Sequence, residues 1–211
     1  MKHLVIIGAG GMGRSLYCIA QGCFGYNEEY DIKGFIDDDL KSLEEFNGYP
    51  PMLGTIRDYK IEDGDIFVCS ISTNNTKRTI CENLINKGAM FQTLIHRTAI
   101  IGKNAEIGEG SIISNYVIIS PDSKIGKNSL IQDFAVIGHD CIVGDYVRVD
   151  THCTCVGGTE LCEGATIHTS SIINHHVVVG KDATVGAMSF VIRKVKPGTT
   201  VCGNPARKLD F

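Results

Sequence analysis

Ile137-Gly138-His139-Asp140-Cys141-Ile142-Val143-Gly144-Asp145-Tyr146-Val147-Arg148-Val149 carries a branched apolar residue at every sixth place, and the period runs on in both directions. Stepping by six from Ile95 meets Ile101, Ile107, Ile113, Ile119, Ile125 and Ile131 before this stretch. After it come Cys155, Leu161, Ile167, Ile173, Val179, Val185 and Val191. Four places beyond each of these stands Ala, Ser, Val, Cys or Thr, from Ala99 through Cys141 and Cys153 to Val195. A period of six matches neither an amphipathic helix nor an alternating strand. It suits a chain that makes one short strand per repeat and then turns a corner, three repeats closing a triangular coil. Stacked coils bury a continuous core that no single repeat could form alone. The expected fold over 95–196 is therefore a left-handed parallel β-helix with no inserted loop.

The same frame assigns side chains. Cys141 and Cys153 fall at small-residue positions and Cys155 at an interior one, so core packing explains them better than metal ligation. The nine cysteines include no CxxC pair, and reduced thiols in the cytoplasm are the expectation. Residues eighteen apart stack on one corner, about 4.8 Å from each other as neighbouring strands are. His139, Gly157 and His175 share one column, Asp140, Gly158 and His176 the adjacent one, and Thr151, Thr169 and Ala187 another corner. An imidazole beside a carboxylate can take a proton from an attacking amine or hydroxyl, the carboxylate fixing its tautomer. His139-Asp140 is thus the candidate catalytic pair. Gly157 is expected to offer a backbone N–H free of any side chain. His152, His168, His175 and His176 are expected to be solvated corner residues.

Before the repeat lie a strand at His3 to Ile7, the turn Gly8-Ala9-Gly10-Gly11-Met12-Gly13, and a helix from Arg14 to about Gly22. Strands near Ile32 to Ile36, Asp65 to Ile71 and Met90 to Leu94 follow, with a helix from Asn74 to Lys87. Alternating strands and helices imply a small parallel sheet. Residues 1–94 are expected to form a Rossmann-like nucleotide-sugar-binding domain, and 95–211 the β-helix with a C-terminal tail. Gly8-x-Gly10-x-x-Gly13 offers backbone amides and a helix N-terminus to a phosphate, and Asp37 lies near the spacing at which a ribose hydroxyl is read. Fewer than a hundred residues leave no room for a second mononucleotide-binding half, so one nucleotide joined to a sugar fits better than NAD. The competing explanation of the glycines is close helix packing.

A net charge of −4 and the lack of any Lys/Arg cluster argue against a nucleic-acid or anionic-membrane partner, since either needs concentrated positive charge. No apolar run approaches the length of a membrane span.

Taken together, Ile6-Ile7-Gly8-Ala9-Gly10-Gly11-Met12-Gly13, Phe35-Ile36-Asp37-Asp38, Leu94-Ile95-His96, Gly138-His139-Asp140-Cys141-Ile142-Val143-Gly144-Asp145 and Val201-Cys202-Gly203-Asn204-Pro205-Ala206-Arg207-Lys208 closely resemble one family across essentially the whole chain. It is the bacterial sugar acyltransferases that join a small nucleotide-sugar domain to a hexapeptide-repeat helix. They include the sialic-acid O-acetyltransferases and the bacillosamine-pathway N-acetyltransferase. The resemblance implies a homotrimer, with acetyl-CoA between adjacent helices and the sugar nucleotide held by the front domain at the same junction. It implies His139 as general base with Asp140 as its acidic partner, and acetyl-CoA contacts at Arg148, Gly157, Thr169 and Ala187. Gly10, Gly11 and Met12 would lie beside the diphosphate and sugar, Asp37 and Asp38 near the nucleoside, and the cations from Arg193 to Lys208 near the CoA phosphates. Three departures stand out: Met12 and Arg148 replace histidines of the amino-sugar enzyme, and Gln132-Asp133 replaces an Asn-Thr pair.

The expected reaction is direct acetyl transfer from acetyl-CoA, with no metal, to the amine of a nucleotide-linked 4-amino sugar in bacterial surface glycan synthesis. Positioning and a backbone N–H on the oxyanion would supply most of the gain. A sugar or sialic-acid hydroxyl is the alternative acceptor. Two other classes compete. A γ-type carbonic anhydrase would need a third imidazole where Gly180 stands, and a non-catalytic trimeric scaffold would bind nucleotide without releasing CoA thiol.

Overall fold

A computed structural model describes residues 1–209, which divide into two compact units, one over Met1–Leu94 and one from Ile95 onward. In the first, β1 (Lys2–Ile7), β2 (Tyr30–Ile36), β3 (Met52–Gly54), β4 (Asp65–Cys69) and β5 (Met90–Phe91) form a parallel sheet in the order β3-β2-β1-β4-β5. Leu4, Val5, Ile6 and Ile7 are completely buried, as a central parallel strand covered on both faces requires. Helix α1 (Gly11–Gln21) buries Leu16, Ile19 and Ala20, and α2 (Asn74–Asn86) buries Cys81 and Leu84.

Three expectations change here. α1 begins at Gly11 rather than Arg14, because Gly11, Met12 and Gly13 already take up helical conformation behind the extended N-cap Gly10. β3 is too short to leave a pattern in the sequence. The strand expected from Met90 to Leu94 stops at Phe91, and Leu94–Ile95 instead opens the repeat.

The second unit is the left-handed β-helix. From Leu94–Ile95 to Phe190–Val191 every repeat contributes one two-residue strand, and the strands stack into three parallel sheets. Partners lie eighteen residues apart, as Ile119↔Ile137 and Ile137↔Cys155 illustrate. The core of the coil is buried from Ile113 to Val195, whereas Ile95 and Ile107 are only partly buried. Cys141, Cys153 and Cys155 lie in it fully buried, and burial pushes the Cys153 thiol up to about 11, which keeps it from becoming a thiolate near neutrality. After the last coil, Thr200–Cys202 adds to one sheet and pairs antiparallel with Arg207–Lys208.

From Asn104 to Met188 each corner is turned by a residue with positive φ, one place before the small residue. Asn104, Asp122, Asp140 and Asp182 stand there, but so do Tyr116, Phe134, Tyr146 and Met188. Among the described residues no helix is long and apolar enough to cross a membrane.

Candidate active site

The tight corner that carries His139 sets its geometry. Asp140 takes the left-handed conformation there, with φ of 57°, and this turn brings its carboxylate back onto the preceding ring. His139 Nδ1 meets Asp140 Oδ2 at 2.6 Å. A ring whose Nδ1–H donates to a carboxylate presents Nε2 as the proton acceptor. Both side chains are about two-thirds exposed.

Gly157 lies one coil along the same column. It is buried, because the imidazole of His139 occupies the space a side chain would need. A Cβ at Gly157 would lie nearest to Nε2 of that ring, and would come within 2.6 Å of Cε1 and 2.9 Å of Cδ2. The missing side chain therefore seats the candidate base. His175, next in the column, approaches the Gly157 carbonyl with Nδ1 at 3.3 Å.

Thr169 and Ala187 are exposed on another corner. Arg148 stands on the sheet leading to that corner, and Asp150 grips its guanidinium at both ends, Nε at 2.5 Å and Nη2 at 3.0 Å. His168 is not an idle corner residue, since its Nδ1 meets Asp150 Oδ2, the oxygen that also accepts from Arg148 Nη2, at 2.9 Å. His152 likewise stacks on Phe134, with ring centroids 4.9 Å apart and planes 6° from parallel. Asp150 escaped the sequence reading, although its eighteen-residue spacing from His168 places the two in register.

The Gln132-Asp133 pair has structural partners. Gln132 accepts from the Thr151 hydroxyl at 3.1 Å, and Asp133 accepts from both the backbone and the side chain of Asn115. At the end of the coil, Arg193, Lys194, Lys196, Arg207 and Lys208 surround a cavity of about 400 Å³ floored by valines.

The glycines of the front unit divide by function. Gly8 has φ of +92°, and a Cβ on Gly13 would overlap the carbonyl of Gly8, so the turn and the close approach of helix to strand require these two. A Cβ on Gly10 or Gly11 would meet nothing within 4 Å. Packing within the chain does not explain them, whereas access to the first-turn amides of α1 does. Met12 follows them, half-buried. Asp37 is a brace: its carboxylate accepts from Ala9 N–H at 2.7 Å and Asp39 N–H at 2.9 Å. Asp38, exposed, accepts from Ile56 N–H. Among the described residues no three His, Cys, Asp or Glu side chains converge as a metal site would.

Residues 3–84 match the family model of the PglD N-terminal domain, and 122–157 that of the bacterial transferase hexapeptide, six repeats. GDP-perosamine N-acetyltransferase of Escherichia coli O157:H7 is 28% identical over 148 residues, covering 68% of this chain and 67% of that protein. UDP-N-acetylbacillosamine N-acetyltransferase of Bacillus subtilis strain 168 is 32% identical over 117 residues. That alignment covers 54% of this chain and 51%, about half, of the relative. The acetyltransferase domain of PglB from Neisseria gonorrhoeae FA1090, solved in complex with acetyl coenzyme A, superposes with a TM-score of 0.89. Identity is 27%, over 99% of each chain.

Proposed function

The chain belongs to the hexapeptide-repeat sugar acyltransferases, and on that premise we propose that it moves the acetyl group of acetyl-CoA onto the amine of a nucleotide-linked 4-amino sugar. The observation that carries the reading is the 2.6 Å contact of His139 Nδ1 with Asp140, which leaves Nε2, held over Gly157, as the ring's proton acceptor. In this reading Nε2 takes a proton from the attacking amine as its nitrogen bonds to the thioester carbon. The carbon–sulfur bond then breaks, and CoA leaves as a thiolate that is reprotonated from the ring or from water. Both aligned relatives are named as N-acetyltransferases of amino sugars, one on a GDP-linked and one on a UDP-linked substrate. The open Gly10-Gly11 turn, with Met12, Asp37 and Asp38 around it, suits the diphosphate and nucleoside of such an acceptor. Arg148, Gly157, Thr169 and Ala187 are assigned to acetyl-CoA.

A homotrimer in the cytoplasm, serving surface glycan synthesis, completes the proposal. His139 is largely exposed, and an acetyl group held beside it needs a second wall to exclude water. One outer sheet face carries Ile100, Ile118 and Ile172 exposed, whereas its neighbour carries Glu106, Lys124, Ile142 and Glu160 at the matching places, charges around one isoleucine. An apolar face of that kind is suited to pack against a copy of the same chain.

Thiol release from acetyl-CoA, measured against UDP- and GDP-linked 4-amino sugars, free sialic acid and sugar alcohols, tests the reading. Turnover is expected only with an amino sugar nucleotide, and acetylation confined to free sugars would overturn it. His139→Ala should lower turnover at least ~10²-fold, the lower range for loss of a general base, with coenzyme A binding unchanged.

A further inference from the structure

Arg14 stands in the front unit without the partner its charge ordinarily takes. Its guanidinium carbon lies 3.6 Å over the centre of the Phe46 ring. Among the described residues no carboxylate or carbonyl accepts a hydrogen bond from that guanidinium, although Glu44 and Glu45 immediately precede Phe46. The difference matters chemically. A carboxylate occupies guanidinium donors, whereas an aromatic face attracts the cation and leaves its five N–H groups available. Phe46 itself stays 42% exposed on the segment between β2 and β3, so its ring serves the arginine rather than the core.

The place of Arg14 in α1 connects it with the glycine turn. It follows Gly13 directly, and its backbone N–H donates to the Gly10 carbonyl at 3.0 Å. Helix residues three or four apart share a face, and long side chains lean toward the N-terminus of their helix. Arg14 therefore leans toward Gly10 and Gly11, where a Cβ would meet nothing within 4 Å. Charge supplies the second argument. Asp37 sets a carboxylate on that turn, 2.7 Å from the Ala9 nitrogen, and Asp39 lies close by with its carboxylate 3.0 Å from the Lys41 nitrogen. A diphosphate brought to the same turn meets like charge, which opposes binding unless a cation accompanies it.

Resting on the reading of the Gly10-Gly11 turn as a diphosphate site, we propose that Arg14 is a substrate-binding residue for the diphosphate of the acceptor nucleotide, and that Phe46 is the positioning residue that holds its guanidinium ready. A planar fork of donors suits a diphosphate because it can take two oxygens at once. The first-turn amides of α1 then bind the remaining oxygens, and Arg14 offsets the field of Asp37 and Asp39. An arginine that merely anchored the segment between β2 and β3 would leave nucleotide affinity untouched.

Calorimetric titration of the full chain with UDP, GDP and coenzyme A separates the possibilities. Arg14→Gln should weaken whichever nucleoside diphosphate the wild type binds by ~10- to 100-fold, the order of one charge-assisted hydrogen bond. Arg14→Lys should recover only part of that loss, since an ammonium keeps the charge without the fork. Phe46→Leu should weaken binding ~3-fold, the order of one exposed cation–π contact. Lys41→Gln removes an exposed cation of the same segment and should stay within ~2-fold of wild type, because solvent screens a charge of that kind. Coenzyme A affinity should hold in all four, and a variant that lost it as well would be misfolded, leaving the other Arg14 variant and Phe46→Leu to decide. Wild-type affinity in Arg14→Gln, full recovery in Arg14→Lys, unchanged binding in Phe46→Leu, or an equal loss in Lys41→Gln would overturn the proposal. If the wild-type chain bound neither UDP nor GDP, the diphosphate reading of the turn would fall first and this one with it. Normal wild-type binding with unaffected variants would remove this one alone.

Discussion

Gly157 shows how one absent methyl group controls the candidate base. The His139 ring rests in the space a Cβ would fill, so Gly157→Ala must push the imidazole away and lengthen its 2.6 Å contact with Asp140. Displacing a reacting group by about 1 Å costs on the order of 10²-fold in rate. Gly157→Ala should therefore lower kcat by ~10²-fold while the coil, buried on the other side of the backbone, keeps its thermal midpoint within a few degrees. Steady-state kinetics beside thermal denaturation checks this, and unchanged kcat would show that His139 does not depend on its seat. Sequence reasoning placed His139, Asp140 and Gly157 on one corner because the eighteen-residue register alone fixes their columns. It did not show that Gly157 also seats the ring, since register gives the position of a Cα and not the direction in which a neighbouring ring folds. His168 was missed for a related reason: a histidine in isolation carries no signal, and its meaning came from Asp150 one coil away.

At the scale of the element, the repeat was legible because the interior of a coil tolerates only one pattern, and Ile, Val or Leu at every sixth place states it openly. Its corners were less legible. The left-handed residue is Asn, Asp or Gly in many repeats, as side chains that tolerate positive φ should be. Tyr116, Phe134, Tyr146 and Met188 occupy it elsewhere and hide the period. Tyr116, Phe134 and His152 stack ring on ring, with centroids 5.1 and 4.9 Å apart, which offsets part of their backbone strain. Met188 is 79% exposed and enters no such stack. A left-handed conformation costs an ordinary L-residue roughly 1–2 kcal/mol, and asparagine less. Met188→Asn should accordingly stabilise the coil by about 0.5–1 kcal/mol, seen as a higher denaturation midpoint at unchanged slope. A lower midpoint would mean that the methionine contributes packing. In the front unit, β3 was illegible because three residues of pattern cannot be told from a loop.

For the whole molecule, each unit is built by a different logic and offers a different kind of ligand site. The parallel sheet gathers Gly10, Gly11 and the first turn of α1 at the end of β1, where unpaired N–H groups and the helix dipole favour a diphosphate. The solenoid offers its register, which lines up groups eighteen residues apart along a corner and suits a long, narrow cofactor. If the acceptor nucleotide and the acyl donor divide between the units in this way, each ligand should slow hydrogen exchange in its own unit. Exchange measured by mass spectrometry with saturating UDP or GDP should show slower exchange in peptides spanning residues 8–14. Peptides spanning 148–169 should not change. Coenzyme A should give the opposite pattern, because an amide exchanges more slowly only where the ligand removes local opening or covers the group directly. A nucleoside diphosphate that slows exchange in the solenoid while leaving 8–14 untouched would remove the glycine turn as the diphosphate site, however well its two unexplained glycines suit the purpose.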